Sequence, residues 1–431
     1  MKSLRIIHFA DLHLGVESGG RPNPASGLNQ RVHDVLDRLD ELCAVAESEG
    51  VHAVVFAGDA FKHQHPTPTL QSLFAERIRR LARSGTSVFL LIGNHDLPKA
   101  TSLAHPFSIY DALEVEGVVV GDRAKLYRLP LGRDAPVPEL QVAALPHFSR
   151  HHVLSRLPDG TDADSFIREE VARTVQRLAS ETDTSAPALF AGHCHVNQAK
   201  VNPAQSMFGA SELEVTLSSL SSSGAFPYIA LGHVHSRQVL SPEPFVAYSG
   251  SLERVDFGEG EVVHVEATRV RTRAGEDKGF YLFDLAPAGG GWVLDGEPRF
   301  HAVAARRFLT LHTDARAAQD PTAHALEAVA RAQAAGAATA GAFVKIVVRV
   351  EAEDRVRLSQ RALRDAVADA YDVRVVADSP PDSSRLRDPR FAVRMTESEA
   401  LEQFVSARDD WADDAGELLR LGRRLIEEVT A

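Results

Sequence analysis

Five short apolar runs in this chain each end on residues that bind metal ions, and stretches of helical period separate the first three. Ile6-Ile7-His8-Phe9-Ala10 is followed by Asp11-Leu12-His13, and alternate positions of extended backbone share a face, so a carboxylate and an imidazole point the same way. Ala53-Val54-Val55-Phe56-Ala57 ends on Gly58-Asp59, and Val88-Phe89-Leu90-Leu91-Ile92 on Gly93-Asn94-His95-Asp96. Further along, Ala188-Leu189-Phe190-Ala191 leads into Gly192-His193, and Tyr228-Ile229-Ala230-Leu231 into Gly232-His233-Val234-His235. Strand, glycine, ligand is the repeated unit.

Val32, Val35, Leu36, Leu39, Leu42 and Cys43 mark one face of a helix from about Asn29 to Glu49. Leu70, Leu73, Phe74, Ile78 and Leu81 do the same between Thr69 and Arg83. Strand alternating with helix predicts right-handed parallel crossovers. Ligands of such sheets bind beyond the carboxyl ends of the strands, where these clusters fall.

A single D-x-H reads equally well as a capping Asp beside a core-edge His, and G-D and G-H pairs are ordinary turn chemistry. Turns have no need of imidazole, however, and five such clusters in order form a ligand set for two adjacent metal ions. Carboxylate, amide and imidazole donors without thiolate suit Mn²⁺, Fe or Zn²⁺. Two such ions activate water and neutralise phosphate charge, which points to hydrolysis at phosphorus.

These motifs resemble the signature of the calcineurin-like metallophosphoesterases. Phe9-Ala10-Asp11-Leu12-His13-Leu14-Gly15, Gly58-Asp59-x-Phe61, Tyr248-Ser249-Gly250-Ser251-Leu252-Glu253-Arg254-x-Asp256-Phe257-Gly258-Glu259 and Lys278-Gly279-Phe280 are similar to its SbcD branch. That branch is the bacterial counterpart of the double-strand-break repair nucleases of archaea and eukaryotes. The resemblance covers roughly the first 285 residues. It implies a four-layer β-sandwich flanked by helices, in the α+β or α/β class, with a small α/β capping domain and C-terminal helices.

By position, the resemblance implies that Asp11, His13, Asp59 and His235 hold one ion and that Asp59, Asn94, His193 and His233 hold the other, with Asp59 bridging. Mn²⁺ is the expected metal. His95 is implied to face the scissile phosphate, with Asp96 fixing its ring orientation and tautomer. Gly192-His193-Cys194-His195-Val196 offers two imidazoles. The branch places Val three residues after its His, which His193 and Val196 satisfy and His195 does not. Lys62 stands where the branch often has an acid. His63 and His65 read as polar loop residues beside Pro66 and Pro68.

At 431 residues, with 44% hydrophobic and 25% charged side chains, the chain has the composition of a globular protein of more than one domain. The N-terminal apolar run is too short for a signal peptide and no run approaches membrane-spanning length. Two cysteines, Cys43 and Cys194, give no disulfide framework, so a cytoplasmic, nucleoid-associated location is expected. A net charge of −12 argues against a nucleic-acid partner, but residues 396–431 hold ten acids and four arginines, half of that total. Basic groups lie elsewhere: Arg269, Arg271 and Arg273 in a charged insertion, Arg306-Arg307, and Arg385, Arg387, Arg390 and Arg394.

The expected divisions are a nuclease domain over 1–300, an α/β capping domain that holds DNA over 306–378, a linker over 379–395, and C-terminal helices over 396–431. Gly279–Leu285 and Gly291–Leu294 read as two strands joined by a glycine-rich turn. The second unit reads as strand (Phe308–His312), helix (Thr322–Ala334), strand (Phe343–Val350), helix (Leu358–Ala370) and strand (Val373–Val376), with a flexible loop at Ala335–Ala342. The last segment carries two apolar stripes and Trp411. The resemblance implies that it docks on the coiled coil of an SbcC-type ATPase of the structural-maintenance class, with a homodimer inside a heterotetramer. No G-x-x-x-x-G-K-[ST] run is present, so any ATP dependence belongs to that other polypeptide.

The implied function is a DNA nuclease, an exonuclease on duplex ends and an endonuclease on single strands, acting in break repair and in processing of ends or hairpins. Two rivals remain at this stage. One is a phosphodiesterase for cyclic nucleotides or other small substrates, and the other is a scaffold that tethers DNA ends.

Overall fold

The structure is a computed structural model that describes residues 3–98, 103–147, 157–158, 161–201, 214–379, 401–402, 405 and 415–430. The chain opens with β1 (Leu4–Phe9), α1 (Gln30–Ser48), β2 (Ala53–Phe56), α2 (Pro68–Arg83), β3 (Ser87–Leu91), α3 (Ser108–Ala112) and β4 (Val118–Gly121). Next come β5 (Leu126–Pro130), β6 (Glu139–Leu145), α4 (Ala163–Glu181), β7 (Ala188–His193), β8 (His195–Val196), β9 (Glu214–Val215), α5 (Leu217–Ser221), β10 (Tyr228–Gly232), β11 (Gln238–Pro242) and β12 (Phe245–Tyr248). Then follow β13 (Glu261–Val265), β14 (Val270–Arg273), β15 (Gly279–Ala288), β16 (Gly291–Leu294), β17 (Arg299–Ala302) and β18 (Phe308–Asp314). The last elements are α6 (Pro321–Ala334), β19 (Phe343–Arg349), α7 (Gln360–Asp365), β20 (Asp372–Asp378) and α8 (Ala415–Thr430).

Capping explains where the early helices start. Asn29 accepts the Arg31 N–H at the head of α1, and Thr67 accepts the Leu70 N–H before Pro68 in α2. Between these helices β1, β2, β3 and β4 lie parallel, and β15 adds antiparallel to β1, with β16 and β17 pairing β15 in turn. A second sheet runs β11-β12-β10-β7-β6-β5, its four inner strands parallel.

Period-two alternation turns these sheets into layers. Ile7, Phe9, Val54, Phe56, Val88 and Leu90 face α1 and α2. Their neighbours Leu4, Ile6, Ala53, Val55, Phe89 and Leu91, with Phe283 of β15, face the second sheet, meeting Val142, Leu189, Tyr228 and Ala230. The far face of that sheet, with Phe190, Ile229 and Leu231, packs on Val171, Val175 and Leu178 of α4. Helix, sheet, sheet, helix is the expected four-layer sandwich of an α/β protein.

A third sheet, β14-β13-β18-β19-β20, packs one face against α6 and α7. Its strands β13 and β14 come from within the span 1–300, so the charged segment around Arg271 is an edge strand rather than an insertion. Helix α7 is shorter than the expected Leu358–Ala370. Thr339 Oγ1 donates to the Asp369 carboxylate at 2.8 Å and Gly341 N–H to the Asp369 carbonyl at 2.9 Å, which draws the chain out of helical geometry. The same bonds pin the Ala335–Ala342 loop, where Ala337, Thr339 and Ala342 are buried. Of the segment beyond Ser379, α8 is described, whereas the linker, Trp411 and most of the first apolar stripe lie outside the described residues.

Candidate metal centre

All five clusters emerge at carboxyl ends of parallel strands in the two facing sheets: β1, β2 and β3 in one, β7 and β10 in the other. Their backbones leave the strands under strain. Asp11 (φ 54°), His13 (φ 46°), Asp59 (φ 63°) and His233 (φ 98°) all sit in the left-handed region, which costs a non-glycine residue about 1 kcal/mol or more. The preceding glycines permit close approach. A Cβ on Gly93 would stand 2.1 Å from Asp59 Oδ1, and one on Gly232 2.1 Å from the Ala57 carbonyl.

The loops converge on Asp59. Its Oδ2 lies 3.4 Å from His193 Nε2 and 3.7 Å from His13 Nε2, and Oδ1 accepts the His95 N–H at 2.9 Å. Ligand-type atoms of Asp11, His13 and His235 gather within 4.8 Å of one another, as do those of Asp11, Asp59 and His193 and those of His13, Asp59 and His95. Asn94 Oδ1 meets His193 Nε2 at 3.0 Å and His233 Nδ1 at 3.2 Å. All seven residues expected to hold metal are therefore brought together. Asp11 also accepts the His233 N–H at 3.0 Å, which ties the first cluster to the fifth.

Outer contacts aim the rings. His193 Nδ1–H donates to the Ala57 carbonyl at 2.7 Å, and His235 Nδ1–H to Glu259 Oε1 at 3.1 Å, so each Nε2 lone pair faces the centre. Buried Lys278 supports Glu259 from its other side at 2.8 Å. Burial opposes a charged Glu259, but Lys278 and then His235 outweigh it and hold the carboxyl down at about 2. Burial likewise opposes a charged Asp59, yet the surrounding imidazoles, His193 foremost, keep it well below the usual carboxylate range.

The donor set fits divalent metal ions. His13 Nε2 and His235 Nε2 stand 2.9 Å apart, an approach two lone pairs tolerate only with a shared cation or proton between them. His13 Nδ1 is buried without a hydrogen-bond partner, which leaves a second nitrogen of that ring open to a cation. Two carboxylates, an amide oxygen and four imidazoles suit hard to borderline divalent ions.

Residues 4–237 match the family model described as calcineurin-like phosphoesterase. The chain belongs to this family, and with it to the metal-dependent hydrolases. It is 29% identical over 283 residues to the SbcD subunit of nuclease SbcCD from Bacillus subtilis, covering 64% of this chain and 68% of that one. To the DNA double-strand break repair protein Mre11 of Sulfurisphaera tokodaii it is 24% identical over 241 residues, 56% of this chain and 51% of the relative. The chain thus spans about half of that relative's length. Among solved structures, a dimetal phosphatase from Danio rerio is 12% identical with a TM-score of 0.37, covering 69% of this chain and 98% of that chain.

Within this phosphoesterase, the structure moves one expected contact. Asp96 does not touch the His95 ring. Its carboxylate accepts the N–H groups of Asp59 (2.9 Å), Ala60 (3.1 Å) and Gly93 (3.1 Å), with Phe61 at 3.4 Å. Asp96 is taken up by backbone N–H groups of the Asp59 loop and of Gly93, while the His95 ring reaches a carbonyl further along that loop. His95 Nδ1–H instead donates to the Lys62 carbonyl at 2.8 Å, so the residue that departs from the branch pattern serves through its backbone.

His195 pairs with Glu214 in the small β8–β9 ladder and enters none of the candidate metal groups among the described residues. His63 and His65 are exposed in the loop before α2. The sequence reading missed His147, whose ring lies 6.3 Å from that of His193 and 6.4 Å from that of His233. Leu145-Pro146-His147 closes β6 as the other clusters close their strands, but with proline in place of glycine.

Proposed function

We propose that this phosphoesterase is a DNA nuclease that uses two ions, with Asp11, His13, Asp59 and His235 holding one and Asp59, Asn94, His193 and His233 the other. The convergence of both donor sets on Asp59 carries the reading. When bound, the ions would activate water and offset phosphate charge, and Mn²⁺ is the proposed metal. Asp59 and Asp11 supply negative charge that counters the cations, and His193 and His235 stay fixed through Ala57 and Glu259. His95, its Nδ1–H held by Lys62, would as the imidazolium give its Nε2 proton to the departing 3′ oxygen and be left neutral. Asp96 holds the Asp59 loop in register.

The names of the relatives support DNA as the substrate class and break repair as the setting. We assign the α/β unit around 306–378 to capping the centre and holding DNA, and α8 with its neighbours to an SbcC-type ATPase in the cytoplasm or nucleoid. Exposed Leu103, Ile109 and Leu113 around α3 support a homodimer. No helix among the described residues is long and apolar enough to cross a membrane.

The deciding experiment offers the Mn²⁺-loaded chain a nitrophenyl phosphodiester and an end-labelled duplex, with and without the ATPase. Cleavage of both is expected. Cleavage of the small ester alone under every condition would assign the chain to small phosphodiesters.

A further inference from the structure

One face of the third sheet packs on α6 and α7, and the other is buried only at its amino end, where Phe308 and Phe343 meet Phe257 and Arg31. Val263, Leu309, Leu311, Val344, Ile346 and Val375 point into the core with α6 and α7, so the alternate residues project from the other face. Strand register sorts these into rows. One row reads Arg273, Val262, Thr310, Lys345, Arg374, and the next Arg271, His264, His312, Val347, Val376. A third carries Asp314, Arg349 and Asp378.

The acids on this face are already neutralised: Asp378 by Arg349 at 3.2 Å, Asp314 by Arg316 at 2.6 Å, and Glu266 by Arg269 and Arg271. Arg273, Lys345 and Arg374 form no ion pair among the described residues, so their row carries the surplus positive charge. Beside it the rings of His264 and His312 stack 4.7 Å apart at 14°. His264 is exposed and His312 half-buried, and the pair joins no candidate metal group among the described residues. A hollow of about 220 Å³ opens next to the two rings at the carboxyl ends of the parallel strands.

Charge and rings together select a ligand. Cations in a row match a phosphate backbone, and stacked flat rings match bases whose faces are free, which a duplex does not offer. Arg273 also lines a cleft of about 540 Å³ with Lys200, Ser236, Arg237, Glu276 and Asp277, and Ser236 directly follows His235. That cleft joins Arg273 of this face to the segment that follows His235. We infer that this face docks single-stranded DNA, its bases stacked on the His264–His312 pair and its phosphates along Arg273, Lys345 and Arg374. The inference rests on the nuclease reading for the fate of the bound strand, not for the binding.

The test is fluorescence anisotropy of the full chain in chelator, with a labelled oligothymidylate and a blunt duplex of equal length. H264A/H312A should weaken single-strand binding about 10-fold to 100-fold, and duplex binding much less. H264F/H312F, which keeps stacking surface, should restore single-strand affinity. K345E/R374E should also weaken it and flatten its salt dependence. Unchanged single-strand affinity in both disruptive variants, or equal loss on single strand and duplex in H264A/H312A, overturns the inference. Should H264A/H312A fail to fold by circular dichroism, the phenylalanine pair and K345E/R374E decide: single-strand affinity lost with phenylalanine, or kept by K345E/R374E, overturns it. Cleavage of the end-labelled duplex by the unaltered Mn²⁺-loaded chain reports on the nuclease reading separately, so either can fail alone.

Discussion

The carboxylate of Asp96 holds the backbone N–H of Asp59 at 2.9 Å, and so the third strand-end loop fixes the residue on which both halves of the centre converge. Burial, with Asp59 nearby, pushes the Asp96 carboxyl up to about 7 against the pull of its backbone donors. Asn in its place would turn an amide N–H₂ toward those donors. Asp96→Asn is expected to weaken Mn²⁺ binding roughly 10-fold to 100-fold, in the range for outer-shell partners. Calorimetric titration of the metal-free protein reads this directly. Wild-type affinity with an altered pH–rate profile would return Asp96 to service of the His95 ring.

His95 should behave in the opposite way. His95→Ala removes an imidazole that the Lys62 carbonyl orients and leaves the seven proposed ligands intact. Turnover should fall about 10²-fold to 10⁴-fold, with metal content by elemental analysis unchanged. Near-normal turnover in a metal-loaded variant would remove His95 from the chemistry.

Glu259 joins the metal centre to the structural core. It meets both His235 and Lys278, and Lys278 is as deeply buried as Glu259 itself. Glu259→Gln leaves that ammonium without its buried countercharge, a change that costs about 3–5 kcal/mol. Urea unfolding should show this loss together with reduced Mn²⁺ affinity. A variant as stable as the parent would mean that Glu276, 3.3 Å from Lys278, suffices as its partner.

His8 gives the sandwich a pH dependence of its own. Lying between the two sheets, it accepts from Tyr228 O–H at 3.0 Å and donates to the Leu231 carbonyl at 3.2 Å. Burial drives its pKa down to about 3 against that carbonyl. A ring neutral when folded but protonated when unfolded gives stability that is present above the ordinary histidine value of about 6.5. That stability is lost as pH falls from there toward 3, at up to about 1.4 kcal/mol per pH unit. Urea melts of metal-free protein across this window should be shallower in pH for His8→Leu. Identical slopes would contradict the assignment.

Much of this was legible because it is local. Apolar runs and helical patterns gave β1, β2, β3, β15 and β16 of the first sheet and both helices over it but not β4 or β17, and Asn29 and Thr67 sit where their caps belong. The ligand loops were legible because Gly58, Gly93 and Gly232 mark where backbone must pass close to another loop. What escaped depends on distant pairing. Glu261–Val265 has strand character, yet nothing near it says that it pairs with Phe308–Asp314 instead of the first sheet. The bonds from Thr339 and Gly341 to Asp369 that shorten α7 span about 30 residues. His147 was hidden because proline took glycine's place, and the direction of Asp96 cannot be read from its neighbour in sequence.

Anomalous diffraction from crystals soaked in Mn²⁺ tests the central claim most directly. Two peaks are expected about 3.5–4 Å apart with the Asp59 carboxylate between them, one beside His13 and His235 and the other beside Asn94, His193 and His233. A single peak in saturating Mn²⁺, or a pair that leaves Asp59 on one side, would contradict it.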